Sequence, residues 1–504
     1  MNRKSSPVSS QAIHSVIGVA IMFLFPHLPI PLPHVTPVGM EILGIFIGTL
    51  YLWTTVDPVW SSLLSIFMVG ISSYAPMGQV LQSAFGSPVV VQMFFLMIVM
   101  NCLVHNHLTA YIGRFFLTLK INSGRPWVFS AMLMFGSMLM AAFVGAFSPI
   151  FLFWPVLYNI FEDIGMKKGD KYPTIMIILI AFGAMLGFPV PPYSGNSLAL
   201  LNNFSTITEN MGNKVVVNNA AYMLLAVVHA VIAVTVIILF CKYVLRPDVS
   251  KLKDLDVETL KKNPLPPLNN NQKFMAVSFI LYILSMLLPS ILPKTGFIKF
   301  LSENSYGIAI GYTAILACVN LNKDSSEPVL PFGKVMSRFA WPTFFLCTSA
   351  ILLGNVLTNE STGISAFLNA ILSPIFKGMS SVIFCLMLMV ITVILTNLCN
   401  SLVIGMLLQP VIAAFCATSG MNPAPLVALL IIFVLSSAGI TPAASPYAAM
   451  LHGNQDWLEG KDVYKYASVF VVLELILICA VGIPFAMALL SRGHPYNGWL
   501  ALRL

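Results

Sequence analysis

The sequence predicts an all-α polytopic membrane protein with about 11 transmembrane helices and two re-entrant hairpins, arranged as two inverted repeats. Three observations predict this fold class. Of the 504 residues, 58% are hydrophobic and only 9% are charged, and the mean hydropathy is +0.88. Soluble domains carry about 25% charged residues. Two long apolar segments are interrupted by prolines and small polar residues, and motifs of the first half recur in the second half at a nearly constant spacing.

Hydropathy favours membrane spans in eleven places, and two further apolar regions have the length of hairpins. Regions 126–165 and 364–418 are each roughly twice the ~20 residues that a span requires, with a polar or proline-bearing centre. That pattern is typical of a hairpin that enters and leaves by one face. The spans are predicted near 13–31, 39–54, 58–75, 86–104, 172–203, 217–245, 272–293, 305–321, 338–358, 421–452 and 466–490.

The distribution of basic residues predicts the orientation. With the N-terminus inside, 20 of the 26 Lys and Arg residues fall on the cytoplasmic side of this topology, as positive-inside reasoning requires. We therefore expect a multi-pass protein of the cell (inner or plasma) membrane with a cytoplasmic N-terminus. The net charge of +8 is explained by the basic residues on the cytoplasmic side. Nucleic acid is therefore not an expected partner, whereas membrane lipid is. The eight cysteines show no disulfide or metal-binding spacing.

The predicted organisation has five parts. Residues 1–38 form the N-terminal tail and first span, and residues 39–246 form the first repeat, with hairpin 126–165 and broken helix 172–203. Residues 247–271 form a polar cytoplasmic linker. Residues 272–491 form the second repeat, with hairpin 364–418 and broken helix 421–452, and residues 492–504 form a C-terminal tail.

Three anchors define the internal repeat. Pro155 and Pro410 are 255 residues apart, as are the Gly-Met pairs that begin at Gly165 and Gly420, and the Pro-Tyr pairs of "PPYSGN" and "SPYAAM" are 254 apart. Each half contains five spans and a hairpin, and an odd count inverts the second copy in the membrane. Inverted repeats whose broken helices meet near the midplane are typical of secondary transporters.

Both broken helices are predicted from their prolines. Prolines 189, 191 and 192 in the first half, and 442 and 446 in the second, remove amide donors and clash with the preceding turn. Unwound backbone is tolerated within a membrane only where it is buried in protein or lines a wet cavity. Ser194, Asn196 and Ser197 follow the first break and are candidate substrate-binding residues. The second hairpin adds Thr396, Asn397, Asn400 and Ser401 inside an apolar run, whereas the first hairpin tip, "VGAF" from Val144 to Phe147, is apolar.

At these motifs the sequence resembles the divalent anion/sodium symporter family within the ion transporter superfamily, as a divergent member. That family carries Ser-Asn-Thr at each hairpin tip and a helix broken at Thr-Pro-Pro. The matching stretches are "CNS" from Cys399, "ITPAASPY" from Ile440, "NESTGISAFLNAIL" from Asn359, and the basic interfacial helix in "HNHLTAYIGRFFLTLKINSGRPWV" from His105. The resemblance implies an elevator-type transporter of dicarboxylates or tricarboxylates that works as a homodimer.

The resemblance also implies site residues. Asn400 and Ser401 would contact the substrate, with Thr441 and Pro442 beside it. A sodium ion, the one non-protein component that we expect as a coupling ion, would lie near Thr396, Cys399, Asn400 and the backbone at Ile440. The apolar first tip departs from the family pattern, so fewer sodium ions are expected than in that family.

Two ionisable residues lie inside predicted spans: His229 in the last span of the first half and Glu474 in the last span of the second half. Glu474 is a candidate for proton coupling, because buried acids are costly and usually functional, although a hydrogen-bonded acid in the bundle is the plainer interpretation. The sequence pattern around His229 favours a satisfied core histidine.

The sequence leaves rival functions open. A proton-coupled or exchange transporter of a monoanionic or neutral solute would use the same fold. A channel would not need two half-sites behind alternating hairpins. An enzyme would need a convergent set of Asp, Glu, His and Ser, but the ionisable residues here are dispersed, so we expect a transporter with no catalytic residues.

Overall fold

The computed structural model describes most of the chain. The described residues are 10–119, 121, 124–143, 147–193, 195–254, 266–292, 295–321, 327–337, 339, 341–357, 359–364, 366–367, 370, 374, 379–398, 400–442 and 444–490. Both predicted tails lie wholly or largely outside them, as does the middle of the predicted linker. Of the predicted site residues, Ser194 and Cys399 lie outside them, and so do three residues of the "VGAF" tip.

The described residues form helices and connecting loops, which confirms the all-α prediction. The helices of the first half are α1 Ser10–Leu24, α2 Pro37–Thr55, α3 Pro58–Ile71, α4 Met77–Phe85, α5 Pro88–His105, α6 Leu108–Leu117, α7 Pro126–Phe143, α8 Ser148–Asp163, α9 Lys171–Gly187, α10 Gly195–Asn210 and α11 Asn219–Phe240.

The helices of the second half follow in a similar order. They are α12 Asn270–Ile291, α13 Gly296–Glu303, α14 Ser305–Cys318, α15 Phe332–Met336, α16 Trp341–Leu357, α17 Ser381–Leu398, α18 Ser401–Ser419, α19 Ala424–Ser436, α20 Pro446–Gly453, α21 Gly460–Leu477 and α22 Ile483–Leu490. A π-helical turn lies within the last span of each half, at Cys241–Leu245 and at Ile478–Gly482.

Local sequence explains many of the helix starts. Pro37 and Pro58 occupy first helical positions, where the missing amide is no loss. The side chain of Thr36 accepts from the amide of Gly39, and that of Asp57 accepts from Val59 and Trp60. These caps replace hydrogen bonds that the first turn of a helix lacks.

Both predicted broken helices are present. The first of them, predicted at 172–203, consists of α9 and α10, which are separated around Pro189. The second, predicted at 421–452, consists of α19 and α20, which are separated around Pro442. The hairpins consist of α7 with α8 and α17 with α18. The predicted start of the second hairpin, at 364, stays a prediction, because much of 365–378 lies outside the described residues. Pro155 and Pro410 both lie inside the returning helix of their hairpin.

Helix length limits how many spans can be counted. Among the described helices, six are long and apolar enough to cross a membrane, or seven if the bent pair Met77–Phe85 and Val90–His105 is one span. Other apolar helices have 10–17 residues, and they include α9 and α19, which end at the two breaks. The total of eleven spans and the inverted sense of the repeats stay predictions.

The helices pack as two groups. We call α7–α11 and α17–α22 the core helices, and α1–α5 and α12–α16 the scaffold helices, because most packing occurs within each group. At the centre of the core, α19 is buried on all sides and α9 is buried from Tyr172 to its end. A helix that is apolar all round belongs in such a position.

Two glycines allow the first hairpin to approach α9 closely. A Cβ atom on Gly183 would lie 2.7 Å from the carbonyl oxygen of Met134, and one on Gly187 would collide with the carbonyl of Met138. Small residues four apart are a common means of close helix packing in membranes. The α7–α9 contact therefore requires glycine at both positions.

We expect Gly187→Ala to lower the thermal unfolding temperature of the detergent-purified protein. The added methyl group must displace α7, and overpacking costs about 1–3 kcal/mol. Gly307→Ala on α14 is the matched control, since nothing lies within 4 Å of a Cβ there, and it should be neutral or stabilising by up to about 1 kcal/mol. Equal unfolding temperatures for the two variants would contradict this account of the α7–α9 packing.

Candidate functional site

A cavity of about 300 Å³ lies between the core helices and the scaffold helices. Its two walls differ in chemistry. The wall from the core carries polar groups together with Tyr447, and the wall from the scaffold is mostly apolar apart from Asn101. The core wall includes Gly195, Asn196, Asn400, Ser401, Ser445 and Tyr447, and the scaffold wall includes Trp53, Leu96, Met97, Met100, Val104 and Leu346.

Four helices begin at this cavity. Gly195 opens α10, Asn400 and Ser445 precede α18 and α20, and Phe147 precedes α8, and all four residues line the cavity. Each helix N-terminus carries roughly half a positive charge from the helix dipole. The two breaks and the two hairpin tips therefore bring four positive helix ends to one place, without a Lys or Arg among the residues that line the cavity.

Three of the predicted site residues meet here. Asn196, Asn400 and Ser401 come from opposite halves of the chain and line the same cavity. The side-chain oxygen of Asn400 accepts from the amide of Leu402 at 3.0 Å and caps α18, which leaves its NH₂ group as the available donor. The side-chain oxygen of Asn196 lies 3.4 Å from the sulfur of Cys347 on scaffold helix α16.

The other predicted substrate residues that the structure describes, Ser197, Thr441 and Pro442, do not line the cavity. Ser197 is buried and donates to the carbonyl of Pro189 at 3.2 Å, which satisfies backbone at the first break. The hydroxyl of Thr441 donates to the carbonyl of Asn397 at 2.6 Å, and Pro442 is exposed beside it. In this conformation the hydroxyls of Ser197 and Thr441 pair with backbone carbonyls at or beside the breaks and do not face the cavity.

The oxygen atoms predicted near a sodium ion already take part in hydrogen bonds. The hydroxyl of Thr396 donates to the carbonyl of Val434 at 3.1 Å, and the carbonyl of Ile440 lies 2.9 Å from a ring nitrogen of His452. A cation at this tip would compete with these bonds. The sodium site stays a prediction.

Asn397 organises the second tip, a role that sequence reasoning did not assign. Its NH₂ group donates to the carbonyls of Val393 and Ser437 at 2.9 and 3.0 Å, and its oxygen accepts from the amide of Ile440 at 2.9 Å. The side chain thereby fastens α17 to the second break. The sequence signal for this role is an asparagine inside an apolar run, just before the tip. Asn400, three residues later, has the same signal, so the sequence does not distinguish the two residues.

Tyr447 is a second residue that sequence reasoning used only as a repeat anchor. Its ring lies 5.1 Å from that of Phe147 and 5.9 Å from that of Phe188, measured between centroids. Its hydroxyl is buried and has no hydrogen-bond partner among the described residues. At the first tip, where a polar triplet was expected by resemblance, the chain thus supplies an aromatic contact.

Glu474 and His229 lie away from the cavity but contact each other. The ring nitrogen Nε2 of His229 is 3.4 Å from Oε1 of Glu474, and the side chains are 4% and 0% exposed. The hydroxyl of Ser436, the last residue of α19, donates to the same carboxylate oxygen. The plain interpretation of a satisfied core histidine is therefore incomplete, since its partner is a buried acid from the other half.

Comparisons with known proteins agree on a transporter. A family model described as "Citrate transporter" matches residues 48–432. The crystal structure of the YdaH transporter from Alcanivorax borkumensis, described as having an unusual topology, is similar with a TM-score of 0.56 at 15% identity. The match covers 91% of this chain and all of that one. At this identity the likeness concerns the fold alone. No curated protein matches the chain.

We expect Asn397→Ala to destabilise the protein. It removes three hydrogen bonds, among them the one that the Ile440 amide donates to the Asn397 side chain, and leaving such a donor unpaired costs about 1–3 kcal/mol. Thermal unfolding in detergent is the measurement, with the exposed Asn213→Ala as the control that should match the unsubstituted protein. An unfolding temperature within error of Asn213→Ala would remove Asn397 from this structural role.

Proposed function

Because the chain belongs to the citrate transporter family, we propose that it carries small organic anions with two or three carboxylates across a cell membrane by secondary active transport. The family and the fold make it a multi-pass membrane transporter and not an enzyme. The anionic substrate, the coupling ion and the direction of transport belong to the proposal.

One observation carries the proposal for the substrate class, namely the four helix N-termini at the cavity. A carboxylate that leaves water at the bilayer midplane needs donors, because its desolvation without replacement is prohibitive. Helix N-termini are ready-made anion sites. The amide groups of Asn196 and Asn400 and the hydroxyl of Ser401 add donors in the same cavity. The family to which the chain belongs is described as one of citrate transporters, and citrate is a carboxylate.

The contrast between the two walls supports the elevator part of the proposal. Donors belong to the core helices, whereas Leu96, Met97 and Leu346 on the scaffold offer mostly dispersion contacts. A core that carries its own donors can move along an apolar wall without breaking many polar contacts. The homodimer implied by the family resemblance also belongs to the proposal.

The rival proposal keeps the fold and changes the cargo. A monoanionic or neutral solute, coupled to protons or exchanged, is favoured by the absence of Lys and Arg among the lining residues and by the aromatic first tip around Phe147. Citrate and succinate carry several charges, so a direct comparison with lactate or a neutral analogue separates the two proposals.

Uptake into proteoliposomes tests the proposed function. We expect saturable uptake of labelled citrate or succinate that an imposed cation gradient accelerates. Sodium dependence should be shallow, with a Hill coefficient below about 2, because only one tip carries polar side chains that resemble a sodium motif. Uptake of lactate or a neutral solute with no uptake of either polycarboxylate would favour the rival proposal, and gradient-independent conductance would indicate a channel.

Asn400→Ala tests the site. It removes an amide donor from the cavity, and a hydrogen bond to a charged group contributes about 1.5–3 kcal/mol, so the half-saturating substrate concentration should rise at least about tenfold. The free energy of unfolding should fall by no more than the cost of a lost helix cap, which is about 0.5–2 kcal/mol. Asn213→Ala is again the control. A lower unfolding temperature with unchanged substrate affinity would make Asn400 a structural residue and remove it from the binding site.

A further inference from the structure

The last spans of the two repeats meet at a buried acid–base pair. His229 lies on α11 and Glu474 on α21, two helices that pack together although the residues are 245 positions apart. Both side chains are more than nine-tenths buried. Ionisable residues in such positions are rare in membrane proteins and commonly mark ion or proton sites.

The carboxyl group of Glu474 is satisfied on one side only. Oε1 receives both the Ser436 hydroxyl and the His229 ring nitrogen, whereas Oε2 is buried with no hydrogen-bond partner among the described residues. A buried carboxylate oxygen without a donor is costly. A proton on Oε2 would lower that cost, since the neutral acid has a much smaller desolvation penalty than the carboxylate.

Other charged groups are distant from the pair. The described parts of α7, α17, α19 and α22, which pack around these two helices, contain no Asp, Glu, Lys, Arg or His. On α21 itself the nearest is Lys465, nine residues away and so about 13 Å along the helix. The remaining titratable groups on the packed helices and turns are Lys461, Asp462, Lys171, Lys242, Lys273, His452, tyrosines 172, 222, 282, 447, 464, 466 and 243, and cysteines 241, 385 and 479. The charge of the site is therefore set mainly by His229 and Glu474 themselves.

A small cavity lies beside the pair. It has a volume of about 10 Å³, about the size of one water molecule, and it adjoins His229. Its other lining residues belong to α11, to the end of α21, to the π-helical turn that follows α21 and to α22, and they are apolar apart from Gly482. π-helical turns within longer helices occur frequently at functional sites.

Ser436 connects the pair to the cavity between core and scaffold. It is the last residue of α19, and its neighbour Leu435 lines that cavity. When Glu474 changes from carboxylate to carboxylic acid, the hydrogen bond from Ser436 weakens, because a charged acceptor binds a donor about twice as strongly as a neutral one. The end of α19 is thus held more firmly in one protonation state than in the other.

We propose that Glu474, His229 and Ser436 form a buried proton-binding site that is coupled through the end of α19 to the transport cavity. Binding takes one proton from solution and changes the charge of the site by +1, with no other bond made or broken. The coupling part of this inference rests on the proposed transport function, whereas the proton site itself does not.

Proton binding is tested on the purified protein without substrate. Infrared difference spectra between high and low pH should contain a protonated-carboxyl band that disappears in Glu474→Gln. The matched control is Glu209→Gln, an exposed acid paired with Lys214 at 2.9 Å, which should leave the band in place. A band unchanged in a folded Glu474→Gln variant would overturn the inference.

Ser436→Ala keeps the inference testable if Glu474→Gln does not fold. It retains both ionisable groups and removes the hydrogen bond that the Ser436 hydroxyl donates to Oε1 of Glu474. The carboxyl band should therefore move to higher wavenumber, because a carbonyl that loses a hydrogen bond vibrates at higher frequency. An unchanged wavenumber would overturn the assigned contact.

Coupling is tested by the pH profile of uptake. One bound proton allows the rate to change by up to about tenfold per pH unit, and Glu474→Gln should flatten this dependence whereas Glu209→Gln retains it. A titrating carboxyl band with no organic-anion uptake by the unsubstituted protein would contradict the proposed function alone. Anion uptake without a Glu474-dependent band would contradict the proton site alone.

Discussion

The structure depends on satisfying the backbone polar groups that two broken helices release inside the membrane. Lipid offers no hydrogen bonds, so every freed carbonyl and amide must be paired within the protein or must line a wet cavity. At the first break the carbonyl of Pro189 accepts from Ser197 and from the hydroxyl of Tyr222, at 3.2 and 2.8 Å. At the second break, the side chain of Asn397 donates to the carbonyl of Ser437 at 3.0 Å, and that of Ser445 donates to the carbonyl of Ala438 at 2.6 Å. The polar residues that a sequence scan finds near the breaks are therefore required first by the backbone.

The same requirement ties the two halves of the chain together. The amide of Ser401 donates to the carbonyl of Ala444 at 3.1 Å, so the start of α18 is held by the second break. Asn203 on α10 donates to Gln409 on α18 at 2.6 Å, and Gln409 in turn donates to the carbonyl of Leu200 at 2.8 Å. These bonds fix α10 of the first half against α18 of the second, and both helices begin at the cavity.

Much of this could be predicted from the sequence, because the signals are local. Proline chemistry at residues 189, 191, 192 and 442 predicts both breaks, and the apolar lengths predict the hairpins. The partition of side chains at the tips could not be predicted, because it depends on where a tip packs. Asn397 and Asn400 have the same side chain three residues apart, yet one faces the break and the other lines the cavity. Likewise the pairing of His229 with Glu474 could not be predicted. Hydropathy assigns each residue to a span but does not indicate which spans of the two halves pack together.

The two tips also show why repeat symmetry does not imply equal chemistry. Similar hydrogen bonds hold each hairpin to its central helix: the hydroxyl of Ser137 donates to the carbonyl of Ile180 at 2.6 Å, and that of Thr396 donates to the carbonyl of Val434 at 3.1 Å. Beyond these shared contacts the second tip presents Asn400 and Ser401 to the cavity, and the first presents the ring of Phe147 against Tyr447. Helix dipoles are a property of the backbone, so both halves retain them whatever the side chains are. Symmetric folding thus supplies positive helix ends from both halves, while side-chain donors at the tips come from one half. The cavity therefore has amide and hydroxyl groups at the second tip and an aromatic face at the first.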